Sequence, residues 1–455
     1  MKRVKAVIPL CLFLAALAFR ASAQEPPAIG AGDVMKRLTV ESLAATRAAI
    51  EKVRASARPV ALQDGYSHVR AVLHCHSRLS HDSRGTPEEI AAAARATNTR
   101  IVFMTEHLNP AIDWFKAGIS GALNDVLFVP GAETRGLLAY PDHSLQGLAL
   151  DDMQAFVNDV VRGPGLAFFS HTEADRPWDL KGVTGMEIYN THTAFILHPE
   201  MGRALTSGLP SLWRMIGLFR QYPQEALGSL DDYPAGQLAR WDSICAKRPF
   251  VGIAANDSHS NTGIVVKVGP QKTLIVEDPL GERLGALDPA KAEGLTPDSR
   301  AVLTGLAAGP EGSEAFRFLL DPYERSFRHV GTYLLVKGAL TEAGAREALR
   351  QGRTYIAFDW IADGAGFTFA CLRGDKTVAV MGDAVSLDGG CELAAEAPAP
   401  GLIRLLRDGK VVKTQQGASM REKVTQPGVY RVESFLEVAG ELRPWIISNP
   451  IYVTP

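Results

Sequence analysis

Short apolar runs alternate with stretches of helical periodicity along much of the chain. The runs fall at 69–73, 101–104, 126–129, 166–169, 186–189, 250–255 and 332–336. Between the first two lies 86-TPEEIAAAARA-96, with a Thr N-cap, Pro at the first helical position and acidic residues in the first turn. Strands separated by helices predict a parallel sheet. Strands that are apolar on both sides predict a sheet buried on both faces. Seven or eight such units favour a closed βα barrel over an open sheet. Before them, Met35, Leu38, Leu43, Ile50 and Val53 recur on one side of 34–57 and predict an N-terminal helix packed on the main domain. Residues 195–247 read as a helical insertion, clearest at 212–222 and 236–246, whereas 277–325 has no clear pattern. From 358 to 455 the runs are short and β-like, and Asp408-Gly409 between two of them is a hairpin signal. This part is expected to be an antiparallel β-sandwich.

Length agrees with several units, since 455 residues amount to about three at roughly 150 residues each. A net charge of -2 gives no sign of a nucleic-acid binder, and no nucleic-acid polymerase partner is evident. Lys2, Arg3 and Lys5 precede the apolar segment 6–19 and the small-residue stretch 21-ASAQ-24. That order predicts a signal peptide cut after Ala23 and a periplasmic or secreted protein with no membrane span after cleavage. Residues 24–67 then hold a linker and the N-terminal helix, 68–357 the barrel, and 358–455 the C-terminal domain. Four cysteines follow the signal, and Cys371 with Cys391 is the plausible pair, as a disulfide or as two buried thiols.

Metal-ligating residue types gather where the apolar runs end. The first run leads to His74 and His76, and the next five to 105-TEH-107, 131-GAE-133, 170-SHTE-173, 190-NTH-192 and 256-NDSH-259. In a βα barrel these strand ends converge on the face that carries active sites. Six of the eleven histidines lie there. Alternate residues of a strand share a face, so His74 and His76 point together into the mouth and Cys75 points to the helix layer. Asp257 and His259 repeat that spacing, and Asp82 reaches back from the loop after the first strand. With His107, Glu133, His171 and His192 the set has nine members, too many for one tetrahedral ion. Two or three divalent ions are expected, of zinc, manganese or iron, with carboxylates as bridges.

The order HxH at 74–76, Asp82, TEH, GAE, SH, NTH and DSH resembles the PHP (polymerase and histidinol phosphatase) family of metal-dependent phosphoesterases, over residues 68–355. The resemblance implies a distorted (β/α)7 barrel, related to the TIM barrel, with three metals and a small phosphate ester as substrate. Asp82, His192 and Asp257 are the expected catalytic residues. Asn190 competes with His192 for the strand end. The expected reaction is hydrolysis of the ester by metal-activated hydroxide. Metals about 3.5–4 Å apart acidify a shared water and hold both oxygens of an in-line displacement.

Arg135, His143, Arg176 and Lys181 follow strand ends and are candidates for substrate binding. His81 reads as a rim residue, Glu106 and Glu173 as partners that orient histidines or as surface carboxylates, and His68, His198 and His329 as structural. Trp114, Trp178 and Trp360 suit packing better than a substrate cleft. Two other functions compete. One is an amidohydrolase-type enzyme acting on C–N or C–O bonds, which commonly uses a strand-end lysine that these runs lack. The other is a non-catalytic metal protein. In either case the C-terminal domain could contact a glycan or a protein.

Overall fold

The computed structural model describes residues 33–455 apart from 149, 201–202, 204–208 and 294. The signal-peptide segment and most of the linker lie outside these residues. No described helix is long and apolar enough to cross a membrane.

Two open sheets build the N-terminal part, and no sheet closes among the described residues. The strand Ser67–Val72 pairs in parallel with Ile101–Phe103, which pairs in parallel with Val126–Val129. Its other neighbour, Gly331–Val336, runs antiparallel. A six-stranded sheet has the order Val251–Ala255, Gly185–Asn190, Leu166–Phe169, Leu137–Tyr140, Ala132–Thr134, Glu106–His107. It is parallel except at Leu137–Tyr140, the return arm of a hairpin turned at Arg135 (φ 48°) and Gly136 (φ 76°). The closed (β/α)7 barrel is therefore not what is seen. An apolar run requires burial on both faces but carries no information about strand direction or closure.

The two sheets nevertheless share one core. Ala71, Leu73, Ile101, Phe103 and Leu334 of the first pack with Leu138, Tyr140, Leu166, Phe168 and Ile253 of the second. Main-chain bonds join them where the functional segments begin. Thr105 N donates to Cys75 O at 2.9 Å, and His76 N to Ser258 O at 2.9 Å. Cys75 lies in a different cluster, with Ile90, Ala91 and Ala94 of the helix Pro87–Ala96, so it does face the helix layer. That helix starts with a full capping box. Glu89 N donates to Thr86 Oγ1 at 3.2 Å, and Thr86 N donates to the Glu89 carboxylate at 2.8 Å.

The expected N-terminal helix is broken at Leu38 into Val34–Arg37 and Val40–Ser56, because Thr39 caps the second helix through Ser42 N. The helical insertion comprises Leu209–Gln221, Pro223–Gly228 and Ala235–Cys245 among the described helices. The unreadable stretch belongs to a separate four-stranded antiparallel sheet, Gly263–Val268, Leu274–Glu277, Arg283–Leu287 and Glu314–Leu319, with the helix Pro297–Leu306.

The C-terminal region is rich in β-structure, and Asp408 (φ 49°) and Gly409 (φ 76°) turn the expected hairpin between Arg407 and Lys410. It does not stand apart as a sandwich of its own. Thr354–Ala357 pairs on one side with Gly331–Val336 and on the other with Glu441–Ser448, so one 14-stranded sheet runs through both regions. The described cysteines are all free and buried, and no Cys371–Cys391 disulfide is formed. Burial, followed by the hydrogen bond and charge of neighbouring Cys391, pushes the Cys371 thiol up to about 12. Trp360 and Trp114 are buried, and the Trp360 indole donates to Asp231 at 2.7 Å, which makes it a core residue.

Candidate metal centre

Strand ends and the loops after them bring the ligand types together in two groups that share one residue. His76, Asp82, His107 and His259 each offer one ligand atom within 4.8 Å of the others. His74, His76, Glu133 and Asp257 do the same. His74 and His76 are fully buried with Nε2 atoms 3.1 Å apart, as two imidazoles facing one locus require. Among the nine expected ligands, seven thus enter the two groups.

His171 adjoins them. Glu133 turns Oε2 towards His74 (3.4 Å), His76 (3.6 Å) and His107 (3.7 Å), and Oε1 towards His171 Nε2 (2.9 Å). Asp257 likewise turns Oδ1 towards His74 (3.2 Å) and Oδ2 towards His171 (3.5 Å). Both carboxylates therefore have the two-sided placement of bridging ligands. His171 and Asp257 have left-handed backbones, each at φ 49°, a region in which Asp and His are enriched among non-glycine residues.

His192 is placed differently from the other eight. It sits in the first turn of the helix Thr191–Leu197, its ring 5.4 Å from that of His259, and belongs to neither group. Asn190 takes the strand end, donating from Nδ2 to Asp257 (3.2 Å) and Glu187 (3.2 Å) while its side-chain oxygen caps the helix at Thr193 N.

None of the four substrate candidates has a side chain bonded to a ligand side chain. Arg135 is exposed at the hairpin turn, and Lys181 is exposed with its backbone held by Gln154. His143 is held between Asp142 (2.7 Å) and Asp159 (2.9 Å). Arg176 instead clamps backbone, donating to Gly136 O at 2.6 Å and to His171 O. His81 is on the rim, its side chain 78 % exposed and 3.9 Å from Asp82.

Several orienting residues were not anticipated. Glu187 accepts from His74 Nδ1 (2.7 Å) and His171 N (2.7 Å), which leaves His74 Nε2 free to face the ligand group. Its one sequence signal is a carboxylate inside the apolar run 186–189. Ser80 bonds His76 Nδ1 (3.0 Å) and receives His107 N (3.0 Å), and it donates in turn to Glu106 (2.7 Å). Ser77 binds the same Glu106 carboxylate through its backbone N and its hydroxyl. Glu106 is thus a buried partner and not a surface charge.

Whether a cation fits can be judged from orphaned atoms. Asp82 Oδ1 and Asp257 Oδ1 are buried without a hydrogen-bond partner, one in each group. Buried carboxylate oxygens without donors are costly unless a cation or proton meets them. Imidazole nitrogens and carboxylates are also the donor set of zinc, manganese and iron sites.

The electrostatics of the site's own residues follow from the same proximity. Burial, then the charge of His259, lowers His76 to about 3, so it is neutral. Burial also opposes charge on His74, but Asp257, Glu133 and Glu187 outweigh it and raise it. His107 and His259 are raised against burial by Asp82, and His171 is carried to about 12 by Glu133 and Glu173. The carboxylates shift the other way: against burial, the histidines hold Asp82, Glu133 and Asp257 below the usual range. A ligating histidine must lose its proton, so metal binding will release protons and weaken as pH falls. Calorimetric titration at pH 7 in buffers of different ionisation heat should give on the order of one or more protons released per ion. A heat independent of buffer would contradict this charge pattern.

No family model and no curated protein matches the chain. Among solved structures, it resembles a two-domain protein containing a predicted PHP-like metal-dependent phosphoesterase from Bacteroides vulgatus ATCC 8482. The identity is 12 %, the match covers 87 % of this chain and 98 % of that one, and the TM-score is 0.35. An engineered protein matches at 11 % identity over 90 % of this chain and 97 % of its own, with a TM-score of 0.16. Neither likeness is close enough to carry an argument.

Proposed function

We propose that the protein is an exported, multinuclear metal-dependent phosphoesterase that uses two or three zinc, manganese or iron ions. One observation carries the reading: two ligand groups share His76, and each contains a buried carboxylate oxygen without a donor. Ions so placed supply an acidified water and a clamp for the attacking and leaving oxygens at phosphorus. The chain's own part is to hold them. Glu133 and Asp257 each face two sides, which sets the spacing of the loci. His76 is neutral and needs no deprotonation before it coordinates. Glu187 and the Ser80–Glu106 pair fix the rings of His74 and His76. Burial of both histidines keeps bulk water from competing for the ligand atoms. The ordered segments that resemble the PHP family narrow a general metal-dependent hydrolase to one acting on phosphate esters.

The test is turnover of phosphomonoesters and diesters by metal-loaded protein, beside an amide and a carboxylic ester. Phosphate release should vanish on chelation and return with manganese or zinc. Hydrolysis of the amide or carboxylic ester alone would favour the amidohydrolase-type reading. Full metal loading without turnover of any substrate would favour a metal-containing binding protein.

A further inference from the structure

A cavity of about 820 Å³ lies at the other end of the strand Ser67–Val72 from the ligand groups. His68 lines it. At about 3.3 Å per residue, the extended chain from His68 to His74 spans roughly 20 Å. The cavity is therefore separate from the metal centre. It is open to solvent, since Arg54, Asn98, Arg100 and Asp363 of its lining are exposed.

Five arginines line this cavity, against three carboxylates. Arg47 and Arg54 come from the helix Val40–Ser56, and Arg70 from the strand Ser67–Val72. Arg100 leads into the strand Ile101–Phe103, and Arg328 belongs to the helix Tyr323–His329. Two of the five are fully engaged. Arg47 holds Glu225 at 2.7 and 3.1 Å, and Arg70 holds Asp359 at 2.7 Å and Thr97 O at 2.6 Å. The third carboxylate, Asp363, accepts from the Tyr333 hydroxyl and from Ala365 N, both at 2.9 Å.

The other three arginines keep unused donors. Arg54 donates only to carbonyls, those of Ile361 (3.0 Å) and Trp360 (2.9 Å). The Arg100 guanidinium has no partner among the described residues. Arg328 reaches Glu324 (2.7 Å) and Ala96 O (3.0 Å) through a single nitrogen. Burial lowers the Arg54 guanidinium from its ordinary value; the charge of Glu225 opposes this, and that of Arg328 adds to it. Arg54 and Arg328 are thus close enough to repel, and an anion between them would relieve the repulsion. Guanidinium groups present paired N–H donors that match the oxygens of phosphates and carboxylates. The volume falls within the roughly 300–1,000 Å³ of small-molecule pockets.

We infer that this cavity is a second ligand site, for a small organic anion carrying two or more phosphate or carboxylate groups. Arg54 and Arg100 are its main anion contacts, and Arg328 adds to the positive rim. The site does not depend on the phosphoesterase reading.

The experiment titrates the full chain, holding the metal it retains on purification, with tricarballylate, sulfate and acetate. Calorimetry reads affinity, and amide hydrogen exchange reads location. Tricarballylate or sulfate should bind once per chain and about tenfold or more tightly than acetate, since each charge-assisted bond to a guanidinium contributes. The tighter of the two shows whether the site takes carboxylate or phosphate-like groups. Exchange should slow in residues 47–57 and 96–100. Arg54→Gln and Arg100→Gln, each with metal content unchanged, should weaken binding by about tenfold. Affinity no better than that of acetate, or unmoved by both variants, overturns the inference. So does slowed exchange confined to 74–82 and 257–259, which would place the anion on the metals. Binding of a polyglutamate peptide but of neither small anion overturns it in favour of an acidic protein partner.

Discussion

His76→Ala should remove a ligand where the two groups meet and lower phosphate-ester turnover by about 10³-fold or more, the equivalent of several kcal/mol of lost charge stabilisation. His76 is the one residue common to the two groups. Its ring is fully buried, stacks at 3.9 Å on His259 and lies 4.5 Å from His107. The fold should survive, because Ser80 keeps its bond to Glu106 and its bond from His107 N. Metal per chain, measured by mass spectrometry after gel filtration, should fall below that of the wild type while the far-UV spectrum is unchanged. His81→Ala is the matched control: its exposed ring lies 5.0 Å from that of His107 but belongs to neither ligand group, and its metal content should equal that of the wild type. A His76→Ala protein that retained its full metal complement would refute His76 as a ligand.

The second large effect is expected at a residue outside both ligand groups. Glu187→Gln should weaken metal affinity by about 10–100-fold, the usual loss when the partner of a ligating histidine is removed. Glu187 is 1 % exposed and receives three donors, His74 Nδ1, His171 N and Asn190 Nδ2. A glutamine of the same shape directs an NH2 at one of them, so at least one donor loses its acceptor. That frees the His74 ring to rotate or change tautomer. It also loosens the left-handed turn at His171 and, through Asn190, the hold on Asp257. Glu187→Ala adds a void and unsatisfied buried donors, which cost about 1–3 kcal/mol of stability. Chelator-competition titration separates these outcomes from simple unfolding. A glutamine variant with wild-type affinity would show that Glu187 is only a structural filler.

Several features were legible because they are local. The spacing in 74-HCH-76 decides which two side chains share a face, and it correctly sends Cys75 to the cluster of Ile90 and Ala94. Thr86 and Glu89 announce a helix start from four adjacent positions. Asp408-Gly409 announces a turn, since both residues tolerate positive φ. The stretch 277–325 was opaque for the converse reason: it belongs to a sheet that begins at Gly263. Its strands are partly exposed and pair out of sequence order, with Gly263–Val268 between Leu274–Glu277 and Glu314–Leu319.

The sequence by itself determined the ligand types, their grouping at the ends of apolar runs and the presence of a β-rich C-terminal region. Those properties depend on side-chain chemistry and on periods of two or a few residues. Tertiary structure alone decided strand direction, the two open sheets and their continuity into the C-terminal region. It alone set Asn190 in place of His192 at the strand end and joined Glu187 to His74 across 113 positions. Hydrogen-bond partners of buried backbone and carboxylates are chosen by what the folded chain brings within about 3 Å. No local pattern of apolar and polar residues encodes that choice.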